Sequence, residues 1–396
     1  MSQYILINRI KVQNANAIAG FTWGFPAITH FLGFVNNLTL KIDNTDNFSD
    51  IGLAGCAVVS HQHHVHTYRS SYDVEFTQSR NPPYLLSLED GKKSKPPPVI
   101  EEGKMNMTIS LLIGCEGNIG NRKDLFITWL KKNCFLQRLA GGTILDIASM
   151  DIYNLDKDSE VRRITRKLLP GFVLMDRSNY LKDRYQALLQ KNNNAELLDA
   201  WLDFSSLKQK ARPKTDLINN HLKGVIKDNS NDQQYNQLTG IWEEHLKKPY
   251  QEGNVPEELT NYFNKLENTK ANEKILDQWK HYCSPTETTD ADWEYIPKPN
   301  SGYLVPIMTG YKAISRVYKN NEIENTRDNK TDVCFVESVH SVGEWLSVHR
   351  LKDREELNSA LWYYQHEDNW YLCKQKHSTN INSNQVYAEN PDDDFS

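Results

Sequence analysis

YILINRIKV, residues 4–12, runs directly into QNANAIAGFTWGFP, residues 13–26. The first stretch is rich in β-branched and apolar side chains and predicts a strand. The second packs Gln13, Asn14 and Asn16 into four positions and then brings two glycines, Trp23 and Pro26. Apolar residues return at helical spacing at Ile28, Phe31, Leu32, Val35 and Leu38. That spacing predicts a helix over 22–42, with Thr22 able to cap it and Pro26 suited to its first turn.

The segments that follow repeat the alternation. IGLAGCAVVSHQHHVHTY (51–68) and KMNMTISLLIG (104–114) predict strands. Residues 122–138 predict a helix with Phe126, Trp129, Leu130 and Cys134 on one side. TILDIAS (143–149) predicts a further strand. The order β-α-β-β-α-β is the ferredoxin-like plan that RNA-recognition domains share. The usual aromatic signature of such sheets is missing, so a sheet of this kind would bind RNA through its loops. Residues 69–103, with RNPP, GKKSKPPP and an acidic pair, break the pattern and read as an exposed excursion. The fold class expected is α+β: a ferredoxin-like body over 1–68 and 104–185, the excursion over 69–103, and a helical lobe over 186–292. A β-rich C-terminal part over 293–377 and a disordered tail over 378–396 complete it.

The chain has 396 residues and a net charge of −5, so any nucleic-acid contact must rest on local patches rather than on an overall positive field. Six cysteines, at 56, 115, 134, 283, 334 and 373, form no C-x-x-C pair and read as reduced thiols, without structural zinc. The N-terminal apolar run is too short for a membrane span and lacks the plan of a signal peptide. No run of eighteen apolar residues occurs elsewhere, and a cytoplasmic protein is expected.

Four stretches invite a chemical reading. SEVRRITRKLL places Val161, Ile164 and Leu168 on one stripe of a short helix that Ser159 can cap. Arg162 and Arg166, and Arg163 and Lys167, then stand at i, i+4 on the rest of it. Like charges at that spacing repel, which suits either an anion such as phosphate or a solvated face opposite acidic groups. RLAGG (138–142) fits either an anion-binding nest or a helix C-cap. In the amide loop, Asn14 and Asn16 can read base edges and Trp23 can stack on a base, or all three can serve turn and core. His61, His63, His64 and His66 alternate on a strand, which puts 61 and 63 on one side and 64 and 66 on the other, a poor metal site. His349 beside Arg350 suits structure or phosphate contact better than catalysis. No G-x-S-x-G, Walker or dinucleotide fingerprint occurs.

Together these segments resemble one family. The amide loop, VIEEG…ISLLIG (99–114), RLAGG, RRITRKLLPGF, GYLVPIMTGY, RDNKT, FVES, GEWLSVHR and LWYY look like the Csy-two family, in its order and across residues 4–372. This is the Cas-five-type subunit of the type I-F CRISPR surveillance complex. Residues 207–290 are the main departure, because the family pattern has a shorter link there. The resemblance implies a RAMP-type ferredoxin-like body with a thumb-like excursion. It implies a non-catalytic role without cofactor or metal: capping the 5′ handle of the CRISPR RNA. It also implies a heterodimer with the large subunit, contact with the first backbone subunit, and target DNA reached through the assembled complex. It groups Asn14, Asn16, Trp23, Arg138, Gly141, Gly142, Arg162, Arg163, Arg166, Lys167, Arg327 and Arg350 as one RNA-binding pocket. The Trp-rich C-terminal part and the excursion are the surfaces expected to meet protein, with Trp345 more at home in a core. Two rivals remain: an endoribonuclease of the same fold, with His349 or a histidine of 61–66 as general base, and a protein-interaction module whose basic helix docks an acidic partner.

Overall fold

The computed structural model describes residues 3–71, 74–77, 79–80, 99–100, 102–156, 158–228, 233–247, 255–326, 328 and 330–376. They divide into two compact units. One comprises the chain up to Phe204 and again from Asn300, and the other is Ser205–Pro299.

The first unit is α+β and is built on long antiparallel strands: β1 (Gln3–Asn16), β2 (Gly52–Val65), β3 (Lys104–Glu116), β4 (Gly142–Asn154) and β5 (Phe172–Asp176). Four more come from the C-terminal part: β6 (Leu304–Ala313), β7 (Val336–Ser347), β8 (Trp362–Glu367) and β9 (Trp370–Gln375). Helix α1 (Ile28–Asp43) joins β1 to β2, and α2 (Lys123–Phe135) lies between β3 and β4. Strand order in this half is β4-β1-β3-β2, so the first strand is central and pairs with the last. The sheet then continues through β5-β7-β6-β9-β8, and β8 returns to β2 at Trp362↔Cys56, closing a six-strand ring. The strands of 293–377 thus extend the N-terminal sheet by backbone hydrogen bonds.

Alternation along β1 shows why the sheet has two different faces. Ile5, Ile7 and Ile10 are buried in one core with Phe31 and Leu38 of α1 and Phe126 and Leu130 of α2. Tyr4 and Leu6 point the other way and are buried with Ala57, Val59, Leu112 and the stripe Val161, Ile164 and Leu168 of α3 (Asp158–Leu168). Each fully buried branched aliphatic contributes about 1.5–3 kcal/mol, so three such residues hold α3 down. Inside the ring Trp362 is fully buried and donates its indole N–H to Leu174 O at 3.0 Å. Buried Gln375 donates to Leu174 O and Ala360 O and accepts from Asp176 N–H, which meets both ends of its amide. Trp345 is also buried in this core, as expected.

Helix α4 (Ser178–Lys191) and α5 (Leu197–Ser205) also belong with this unit. Leu181, Trp201 and Phe204 pack on Leu304 and Val342, and the buried pair Arg177–Glu344 (2.6 Å) ties the start of α4 to β7. The helical lobe expected from 186 is therefore shared between the units. The second unit holds α6 (Asp216–Asp228), α7 (Gln233–Lys247), α8 (Glu257–Lys265) and α9 (Glu273–Cys283), with its own core around Trp242, Phe263 and Trp279. Its two ends leave through the paired strands Gln209–Pro213 and Ala291–Tyr295. None of the described helices is long and apolar enough to cross a membrane.

Three local expectations change. Helix α1 begins at Ile28 with Ala27 at its cap position, because Thr22–Trp23 pairs with Ile18–Ala19 as a small ribbon. Helix α3 begins at Asp158, so Ser159 lies within it rather than capping it. The turn in RLAGG follows strand, not helix: Arg138–Leu139 pairs with Gly142–Thr143, and α2 has already ended at Phe135. Most of the expected excursion, and the expected tail, lie outside the described residues.

Candidate nucleic-acid interface

β1 and β4 are antiparallel, with Gln13 opposite Thr143, so the end of the first strand meets the start of the last. This brings the amide loop and RLAGG together, and Asn16 N–H donates to Ala140 O at 2.8 Å. Ala140 and Gly141 form the two-residue loop of a hairpin, both at positive φ (+50° and +75°), as a primed turn requires. The two glycines have different jobs. A Cβ on Gly141 would meet nothing within 4 Å, whereas on Gly142 it would lie 2.7 Å from Gln13 O and 2.8 Å from Ala15 N. Arg138 is exposed, with Nη1 at 3.3 Å from Gly141 O.

The amides of this loop are largely occupied. Asn16 accepts from Ile18 N–H (3.0 Å) and donates to Ile18 O (2.9 Å), so its side chain closes a turn. Asn14, at φ +55°, sits where β1 bulges away from β3, and its N–H donates to Asn106 Oδ1 at 3.1 Å. Its exposed side chain remains available to a ligand. Trp23 stacks on Phe76 at 4.1 Å and packs over Gly103, which pins the root of the excursion.

Helix α3 lies over the other half of β1. Lys167 Nζ is 2.6 Å from Asp151 Oδ2 of β4, which holds the ammonium above its usual range. Arg163 lies 5.7 Å over the Tyr153 ring and 3.8 Å from Glu160. Arg162 and Arg166 are exposed and have no carboxylate partner among the described residues. The turn Val348–Arg350 packs beside α3, where Thr165 Oγ1 reaches Leu351 O and Val348 N–H reaches Gly171 O. His349 is exposed, with Nδ1 at 2.6 Å from Ser347 Oγ. Arg350 is half-buried. Arg327 lies outside the described residues.

Between these two groups lies a cluster of which sequence reasoning singled out His61 alone. Arg9, at φ +50°, donates its N–H to Ser110 Oγ (2.8 Å) and its guanidinium to Leu169 O (3.0 Å), just past the end of α3. His61 Nδ1 is 2.7 Å from Pro170 O, and Nε2 is 2.7 Å from Ser110 Oγ. Because a carbonyl only accepts, Nδ1 carries the proton. In the neutral ring Nε2 then accepts from the Ser110 hydroxyl; a protonated ring would donate there and send that hydroxyl proton to Asn8 Oδ1 (3.0 Å). Burial, with Arg9 adding to it, lowers the His61 pKa and favours the neutral form.

The same cluster corrects the histidine register. β2 bulges between Ser60 and Gln62, so His61 shares a face with Gln62 while His63 crosses to the other side, beside Phe25 and Trp345. His61 and His63 therefore do not share a side. No group of three or more His, Cys, Asp or Glu side chains suited to a metal occurs among the described residues.

The second face of the β4-β1-β3-β2 sheet is thus divided. Its apolar half lies under α3, and its other half is polar and, among the described residues, uncovered, with Lys11, Gln13, Gln62, His64 and Asn106 exposed along it. Leu6, opposite Asp151, and Asn14 are eight residues apart on β1, or about 26 Å at ~3.3 Å per residue. The grouped residues form the two ends of a strip rather than a single pocket. Polar positions at Asn8, Lys11 and Gln13 inside an apolar strand were the only signal of it in the sequence.

A family model described as "CRISPR-associated protein (Cas_Csy2)" matches residues 5–221 and 218–373. CRISPR-associated protein Csy2 of Pseudomonas aeruginosa (strain UCBPP-PA14) is 27% identical over 380 residues, covering 92% of this chain and 91% of that protein. The matched ranges take in β1 through β9, the amide loop, RLAGG and α3, and on that breadth the chain belongs to the Csy2 family of type I-F CRISPR-associated proteins.

Proposed function

We propose that this chain is a non-catalytic subunit of a type I-F surveillance complex that binds and caps the 5′ handle of the CRISPR RNA and pairs with the large subunit. The β4-β1-β3-β2 order, with α1 and α2 on one face, supports reading the first half as a ferredoxin-like, RAMP-type body. The observation that carries the proposal is the divided second face. Its polar half runs from Arg9, at the end of α3, past Lys11 to Asn14, and α3 itself exposes Arg162 and Arg166, which have no carboxylate partner among the described residues. Such a strip suits a strand of RNA whose phosphates meet the cations and whose bases meet amides. Net acidity is no obstacle, since the grip is local.

An RNA-cleaving relative would need an unoccupied general base near a 2′-hydroxyl. Both His61 nitrogens are engaged, which favours capping over cutting. His64, exposed on the polar half-face, His66 and His349 remain candidates. At the β8–β9 hairpin Tyr311, Tyr364 and Tyr371 are exposed on one face and Trp370 on the other, aromatic surfaces suited to the large subunit or the first backbone subunit. In this reading the chain acts in the cytoplasm and reaches DNA only through the assembled complex. Incubation with labelled repeat RNA, with and without the large subunit, tests it. Retention of uncut RNA whose sequenced 5′ end is the handle is expected. Metal-independent cutting abolished by His349→Ala would replace the proposal with the nuclease.

A further inference from the structure

We propose that Phe21, seated on His340, is the aromatic residue of the amide loop that stacks on a base of the bound RNA. This role rests on the function proposed above and assigns to Phe21 the part that the sequence offered to Trp23.

Trp23 is already engaged, with its ring 4.1 Å from that of Phe76 and packed over Gly103. Phe21 lies two residues earlier, in the turn that joins Ile18–Ala19 to Thr22–Trp23, and it is 77% exposed. A phenylalanine on a loop tip ordinarily swings, and ordering it on binding costs entropy. Here one face of the ring lies flat on His340 of β7, with centroids 4.5 Å apart and planes 10° apart. The stack fixes the ring before a ligand arrives and leaves its other face open among the described residues.

The seat is built for this contact. Gly20 has φ +63°, and a Cβ there would lie 2.2 Å from the His340 ring and 3.1 Å from Ser338 Oγ, so glycine lets the loop tip come down. His340 Nε2 is 3.0 Å from Ser338 Oγ, its ring meets that of Trp201 edge-on at 5.4 Å, and Met308 of β6 stands opposite it. None of these neighbours carries a charge, and burial lowers the His340 pKa, so a neutral ring backs Phe21. The tip is also braced to the polar half-face. Asn16 closes on Ile18 through its side chain and on Ala140 O through its N–H, which makes Asn14 and Phe21 parts of one loop. Residues 13–26 hold no Asp, Glu, Lys or Arg. The loop therefore offers a strand of RNA amides and an aromatic face, groups that meet bases rather than phosphates.

Binding of single-stranded repeat RNA by the full chain, measured across a salt series, tests this. Phe21→Ala should weaken RNA about 5-fold or more at every salt concentration and leave the slope of log K against log salt unchanged, because stacking releases no counterions. Phe21→Tyr should retain affinity. In RNAs carrying 2-aminopurine at successive positions, fluorescence should be quenched on binding at one position, and Phe21→Ala should abolish that quench. Gly20→Ala and His340→Ala should each weaken RNA yet add little to Phe21→Ala, and His340→Phe, which keeps a ring beneath Phe21, should restore affinity. Losses that add would remove Gly20 and His340 as the seat. Unchanged affinity in Phe21→Ala, with Arg162→Ala and Arg166→Ala together still weakening RNA, overturns the stacking role and leaves the RNA reading standing. Loss of co-purification with the large subunit in place of RNA overturns it too and gives Phe21 to a protein contact. Failure of every form of the chain to bind the RNA, with or without the large subunit, overturns both readings.

Discussion

Lys167 Nζ lies 2.6 Å from Asp151 Oδ2, so one of the four cations of α3 is committed to the strand beneath it. The neighbouring Arg162 and Arg166 have no such tie. This separates residues that fasten the helix from residues that face outward. Lys167→Ala should cost about 1 kcal/mol, because the pair is only partly buried. A lowered urea midpoint with unchanged slope would show it.

Arg162→Ala with Arg166→Ala should leave the urea midpoint of the fold alone and weaken RNA. Two lost phosphate contacts make the slope of log K against log salt shallower by about 1.4, at ~0.7 each for a single strand. Filter binding across a salt series measures it. An unaltered slope would mean the pair is a solvated face only.

The glycines of RLAGG should respond unequally. Gly141→Ala meets only the cost of a positive φ, about 1 kcal/mol. Gly142→Ala drives a methyl group into the backbone of β1 and should cost about 2 kcal/mol or more. Chemical denaturation of the two variants side by side decides this, and equal losses would contradict the geometry.

His61 should make stability fall in acid. Its folded pKa is below the ordinary value of 6.5, so the unfolded chain binds more protons as pH drops through that value. Stability is then complete above about pH 7 and is lost progressively below it. His61→Gln should shrink the difference in urea midpoint between pH 7.5 and 5.5. The other lowered histidines, such as His63 and His340, supply the remainder.

Trp362 and Trp370 lie on strands of one hairpin and should behave oppositely. Trp362→Ala empties the ring and loses the bond to Leu174 O, a cost of about 3–5 kcal/mol. Trp370→Ala should change stability by less than about 1 kcal/mol and reduce co-purification with the large subunit. Equal stability losses would remove the basis for calling that surface an interface.

The sequence by itself determined the alternation of strand and helix, the cores of α1 and α2, and the apolar stripe of α3. In each case the signal is a local period, and a side chain buried by its own period needs no distant partner to be identified. Tertiary structure decided the rest. Residues 293–377 read as a separate part, yet β7 and β6 join the first sheet, because backbone pairing across long chain separations leaves no mark on composition. The amide loop and RLAGG became neighbours through the β1–β4 pairing. A one-residue bulge at His61 reversed the faces of the histidines after it. For Asn16 and Trp23 the sequence left ligand contact and a turn or core role both open, and only the folded chain shows their hydrogen-bonding and stacking capacity in use. The polar half-face around Arg9 was invisible for the same physical reason: it exists where α3 stops covering the sheet, and where a helix ends over a sheet is a property of packing, not of the residues beneath it.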